Sequence, residues 1–111
     1  MGKMYEKQKD LANEMSDAIK AYVLEKGGFV DTQECENGRI HGYVFDAWSN
    51  VDTLDVKAVR VRGNVVEVFL DEDYKDYGED ELRDAEPWEP LFDGDVLGWF
   101  TAVNIVEGLG L

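Results

Sequence analysis

The sequence predicts an α+β domain: an N-terminal amphipathic helix packed on a four-stranded antiparallel meander of two hairpins, then an acidic loop and a C-terminal helix. Three observations carry this. Apolar residues between positions 4 and 26 recur at spacings of three, four and seven, which is the stripe of a helix. Two alternating apolar/polar segments are each interrupted by a glycine-containing dipeptide suited to a tight turn. The final run, "DVLGWFTAVNIVEGLGL", is too long for an ordinary strand. At 111 residues the chain has the length of a single domain, taken as 1–111, with residues 71–95 as an acidic excursion within it. A chain of this size buries roughly two thirds of the surface it exposes when unfolded, so it needs no metal or disulfide to fold. Its composition, 44% hydrophobic and 12% aromatic, is that of a globular protein.

In the first element, Met4, Leu11, Met15, Ala18, Ile19, Tyr22 and Val23 share one helical stripe, and charged residues fill the opposite side. Gly27-Gly28 supplies the left-handed residue that closes a helix. Next, "FVDTQECENGRIHGYVFDAW" carries Asn37-Gly38, the dipeptide favoured in a type I′ turn. A two-residue loop there pairs Glu36 with Arg39, Glu34 with His41, Thr32 with Tyr43, and Val30 with Phe45. "WSNVDT", residues 48–53, then connects to a second hairpin, "LDVKAVRVRGNVVEVFLDE", turning at Gly63-Asn64. Its register sets Val61 opposite Val66, Val59 opposite Val68, and Arg60 opposite Glu67 on the other face. One apolar and one charged face predict a sheet covered on one side only. Within 71–95, "EDELRDAE" has room for one or two helical turns, and Pro87 and Pro90 around Trp88 forbid a regular helix there. The closing helix is expected to be capped by Asp93 or Asp95 and to cluster Val96, Trp99, Phe100, Val103 and Val106.

Charge points to function more directly than any motif. The chain has 25 acidic and 11 basic residues, a net −14. Residues 71–95 hold 12 of those carboxylates against Lys75 and Arg83, leaving 13 acidic and 9 basic residues in the rest of the chain. So concentrated a negative charge repels nucleic acid and anionic lipid as direct ligands and favours a basic protein partner. The carboxylates Asp71, Asp73, Asp76, Glu79, Asp80 and Glu81 alternate with Tyr74, Tyr77 and Trp88. Aromatic anchors among steering charges are the composition of a partner-binding surface. The competing reading is a solvated segment whose aromatics fold back onto the core.

Other chemistries find less support. Neither frame of an EF-hand fits: counting from Asp71 puts Lys75 at the fifth position, and counting from Asp73 puts it at the third. One histidine and one cysteine cannot supply a structural zinc site, so no metal and no cofactor is expected. In the first hairpin's register Cys35 and His41 lie on opposite faces, which separates a nucleophile from its base. Asp46, between Phe45 and Ala47, is the carboxyl best placed for a raised pKa. Arg60 and Arg62 offer a place for the acidic loop of a second copy, giving a homodimer. No run of eighteen apolar residues occurs, and "MGKMYEKQKDLANEM" lacks the apolar stretch of a signal peptide, so a cytoplasmic protein without a membrane span is expected. The sequence reads as a non-enzymatic acidic binding protein of inhibitor, immunity or nucleic-acid-mimic type. The alternative is a small-molecule-binding domain or enzyme with a cleft between the sheet and the C-terminal helix, near Asp46, Trp48 and Trp99. None of these motifs carries a family resemblance.

Overall fold

A computed structural model describes residues 6–35, 38–92 and 96–111, including every side chain among them except those of 6–9 and 34. The order is α1 (Glu6–Glu25), β1 (Phe29–Asp31), a 3₁₀ turn (Thr32–Glu34), β2 (Ile40–Phe45), β3 (Val51–Arg62), β4 (Val65–Asp71), α2 (Glu79–Asp84), β5 (Glu89–Pro90) and α3 (Val96–Leu109). The α+β class, the helix at each end and the antiparallel sheet are as the sequence predicts. The sheet has five strands, with β3 as its spine. One edge of β3 is shared by β1 and β2, the other is paired with β4, and β5 extends the sheet beyond β4.

On one face of the sheet, Ile19 and Val23 of α1 and Ala102 and Ile105 of α3 pack on Val56, Val59, Val66 and Val68. The stripe that α1 buries is Ala12, Ile19 and Val23 with Met15 and Tyr22 alongside, whereas Leu11 and Ala18 face outward. Gly27 and Gly28 end α1 with φ of 95° and 93°, and the Gly28 N–H closes back on the Val23 carbonyl at 2.8 Å. Helix α3 lies very close to its neighbours because glycine occupies its contact points. A Cβ at Gly98 would stand 2.4 Å from the Leu91 carbonyl oxygen, and one at Gly108 would stand 2.6 Å from the Ile40 side chain of β2.

The first hairpin is not the one centred on Asn37-Gly38. Strand β1 pairs with β3, Val30 lying opposite Val59, and β2 forms its hairpin with β3, Phe45 opposite Val51. The Asp31 carboxylate accepts the Gln33 N–H at 3.0 Å and bends the chain into the 3₁₀ turn, so no strand continues through Thr32. The buried Thr32 hydroxyl then donates to the Val56 carbonyl at 2.6 Å instead of facing Tyr43. The true turn is Asp46–Asn50, which only overlaps the segment 48–53 expected to connect hairpins, and Val51–Thr53 of that segment already belong to β3: Asp46 Oδ1 accepts the N–H groups of Trp48 and Asn50 at 2.8 and 2.9 Å. The Glu36–Arg39 pair, Met4 and the Asp93 or Asp95 cap involve positions outside the described residues.

The second hairpin has the expected register, Val61 opposite Val66, Val59 opposite Val68 and Arg60 opposite Glu67. Between Val56 and Ala58 the ladder slips by one residue, a bulge at Lys57. The slip turns Lys57 onto the same side as Ala58 and Arg60, where the unbroken alternation would have sent it to the opposite face. Nor is this side left to solvent. Ala58, Phe69 and Leu82 form a second buried cluster, flanked by Phe29, Tyr77, Ala85 and Trp88. The acidic segment therefore covers the sheet face opposite α1 and α3.

Candidate functional site

The acidic segment is held down by five anchors. Tyr77 packs edge-on against Phe69 at 5.6 Å, and Trp88 packs against Phe69 and Phe29 at 5.9 and 6.1 Å. Leu82 is fully buried from α2. Gln33 clamps the backbone of Tyr77 with both ends of its amide, Nε2 donating to the carbonyl at 3.1 Å and Oε1 accepting the N–H at 2.9 Å. The fifth anchor is Lys57. Its side chain is 1% exposed, and its ammonium donates to the Lys75 carbonyl at 2.9 Å and to Asp55 Oδ2 at 3.4 Å.

Asp55, 2% exposed, is the electrostatic centre beneath the segment. Its Oδ2 also receives Arg39 Nη1 at 2.8 Å, while Oδ1 makes no hydrogen bond and has His41 Nδ1 3.9 Å away. A buried carboxylate requires such cations, because desolvation costs it several kcal/mol. Arg39 in turn lies 5.3 Å from the Tyr74 ring, so the network reaches the outer surface of the acidic loop.

The proposed binding residues divide into inward and outward groups. Asp71 is half-buried and accepts the Tyr77 hydroxyl and the Asp73 N–H. Burial alone would raise the Asp71 carboxyl, but those two donors and the charges of Lys57 and Lys75 hold it below the usual range. The same hydrogen bond, followed by burial and by the charges of Asp71, Asp73 and Glu81, pushes the Tyr77 hydroxyl up to about 12. Trp88 is half-buried, with Arg60 stacked on its indole at 4.3 Å. Tyr77, Trp88 and Asp71 thus attach the segment to the sheet. Asp73, Tyr74, Asp76, Glu79, Asp80 and Glu81 are exposed. Among these, Glu79 pairs with Arg83 at 2.8 Å one turn along α2, and Glu81 receives the Gly78 N–H at the start of that helix. Glu72, Asp84 and Glu86 are exposed as well and extend the same acidic surface, whereas the exposed Glu89 lies opposite Val68 on the α3 side of the sheet.

The other candidates are placed as follows. Asp46 has no apolar enclosure. The Asn50 N–H, with the Trp48 N–H, outweighs what desolvation it feels and holds its carboxyl below the ordinary range, the opposite of a raised general acid. His41 lies opposite Asp55 rather than Glu34. The Cys35 thiol is half-buried and pushed up by burial and then by Asp31. Arg60 is already held by Glu67 at 2.7 Å and by Trp88. A cavity of about 380 Å³ does lie between the sheet and the start of α3, bordered by Val44, Val68, Leu70, Leu91, Gly98 and Thr101. Glu89 is the one carboxylate on its described lining, and Asp46, Trp48 and Trp99 are not part of it. Among the described residues no three His, Cys, Asp or Glu side chains are grouped to hold a metal ion, and no helix is long and apolar enough to cross a membrane. No family model, curated protein or solved structure matches the chain.

Residues missed by sequence reasoning are Gln33, Asp55 and Lys57. The one available signal was a Lys set between Val56 and Ala58-Val59, two residues after Asp55, in the middle of a long strand, since a charge in a sheet core must meet a partner.

Proposed function

We propose that the protein is a non-enzymatic acidic module that docks a basic protein partner through the outer surface of residues 71–92. The observation that supports it is the division of labour in that segment. Its aromatics and Leu82 attach it to the sheet, while Asp73, Asp76, Glu79, Asp80, Glu81 and Asp84 point to solvent with Tyr74 among them. A carboxylate array on an anchored backbone loses little conformational freedom on binding, so its charge goes into steering and orienting the partner. An inhibitor of a basic enzyme, an immunity protein and a nucleic-acid mimic all work through such a surface. The test is affinity capture from native lysate at low salt with wild type and with a Glu79→Gln/Asp80→Gln/Glu81→Gln triple variant. A basic protein retained by wild type and lost from the variant supports the reading. No retention, or equal retention by both proteins, refutes it.

A second reading rests on the 380 Å³ cavity beside α3, which is large enough for a small ligand. It predicts that a small amphipathic probe raises the melting temperature and that Thr101→Leu, which intrudes on the space, abolishes the shift.

A further inference from the structure

The cavity between the sheet and the start of α3 has one charged side chain on its described border. Val44, Val68, Leu70 and Leu91 supply apolar wall, and Thr101 closes it from α3. The Thr101 hydroxyl is already engaged, accepting the Tyr43 N–H at 3.1 Å and donating to the Leu97 carbonyl at 2.9 Å. Glu89 is different. It lies exposed opposite Val68 on the α3 side of the sheet, and its carboxylate has no hydrogen bond or ion pair among the described residues. The backbone that carries it is fixed, because β5 pairs with β4 and the Leu91 N–H bonds the Val66 carbonyl at 2.9 Å. Asp52, half-buried opposite Val44, puts a second carboxylate on the same face of the sheet. Among the described residues no Lys, Arg or His borders the cavity.

The geometry points to a site for a small organic amine, its protonated amino group on the Glu89 carboxylate and its hydrocarbon part against Val44, Val68, Leu70 and Leu91. The volume, about 380 Å³, lies in the range of small-molecule sites and holds a single hydrocarbon ring. Complementarity selects the charge. An ammonium gains a charge-assisted hydrogen bond from a carboxylate that otherwise has only water. A carboxylate ligand would instead face Glu89 and Asp52 with no cation on the border to offset them. A neutral alcohol of the same shape reaches the apolar wall but brings no charge to Glu89. Because Glu89 is exposed, the preference for the amine is modest and screened by salt. This inference rests on the cavity reading above and is independent of the acidic segment, which covers the other face of the sheet.

NMR titration of the full chain with cyclohexylamine, cyclohexanol and cyclohexanecarboxylate, near neutral pH and at low salt, tests it through the amides of Val68, Glu89 and Leu91. Cyclohexylamine is expected to bind about five-fold more tightly than cyclohexanol, the worth of an exposed charge pair, and cyclohexanecarboxylate more weakly than either. Glu89→Gln alters an exposed side chain and is expected to leave the melting temperature unchanged. In that variant the amine is expected to fall to the level of the alcohol, whose own affinity stays the same. Equal binding of amine and alcohol by wild type overturns the inference and leaves the cavity reading intact. So does an amine advantage undiminished in Glu89→Gln, which would mark a general attraction to the chain's net charge of −14. Amides that none of the three probes shifts overturn the inference and the cavity reading together.

Discussion

Replacing Lys57 with Met tests whether the buried charge network fastens the acidic segment to the sheet. Met keeps the length and apolar stem of lysine and removes the ammonium, together with its position 5.7 Å from the Tyr77 ring. The change leaves Asp55, 2% exposed, with Arg39 at 2.8 Å as its remaining close cation. It also strips the Lys75 carbonyl of its 2.9 Å donor. Breaking a buried pair by removing one partner costs about 3–5 kcal/mol, and the surviving Arg39 places this case near the lower end, about 3 kcal/mol. Against a total stability of roughly 5–15 kcal/mol that is a large fraction. In a domain of this size it corresponds to a fall of about 12 °C in melting temperature. Urea denaturation gives the global cost, and amide hydrogen exchange of residues 72–77 reports whether the loop lifts. Adding Asp55→Asn to Lys57→Met should recover part of the loss, since the uncompensated charge disappears. A Lys57→Met protein within about 0.5 kcal/mol of wild type, with unchanged exchange in the loop, would refute the reasoning, because that is the range of an ordinary surface substitution.

Two further predictions concern packing and pH. Gly98→Ala, which in an exposed helix would be worth up to about 1 kcal/mol of added stability, should instead destabilise by about 1–3 kcal/mol, because its methyl would meet the Leu91 carbonyl; the urea midpoint gives the sign. Tyr77 is raised in the folded state, so its contribution to stability is complete below pH 10 and fades as pH climbs toward about 12. Asp71 is depressed, so its contribution holds above roughly pH 4 and is lost on acidification through its lowered folded value. Tyr77→Phe should flatten both limbs in melting experiments across pH, and an unchanged profile would contradict the Asp71–Tyr77 bond.

How much of this was legible depended on how local each determinant is. Gly63-Asn64 between two alternating valine runs specified a hairpin and its register, and the structure has it. The Gly27-Gly28 stop and the helical character of 96–107 were equally local. Asn37-Gly38 is as strong a turn signal, but the Asp31 carboxylate diverts the chain six residues earlier, and Asp46 with Ser49 and Asn50 closes the hairpin elsewhere. The bulge at Lys57 shows in the sequence only as a change of phase, from Leu54, Val56 and Ala58 to Val59 and Val61, which does not say which residue is extra, although it decides which face receives the only buried lysine among the described residues. The density of carboxylates in 71–95 could be counted from the sequence. That Tyr77 and Trp88 turn inward while Tyr74 stays out follows from Phe29, Gln33 and Phe69, residues far away in the chain that no local pattern connects to them.

The central claim is that the outward carboxylates of 71–92 attract a cation-bearing protein. Stopped-flow association with the captured partner, measured as ionic strength rises, tests it most directly. The account predicts a rate that falls steeply with salt for wild type and is slower and nearly flat for the Glu79, Asp80 and Glu81 glutamine variant. An association rate indifferent to salt, or the same in both proteins, would contradict it.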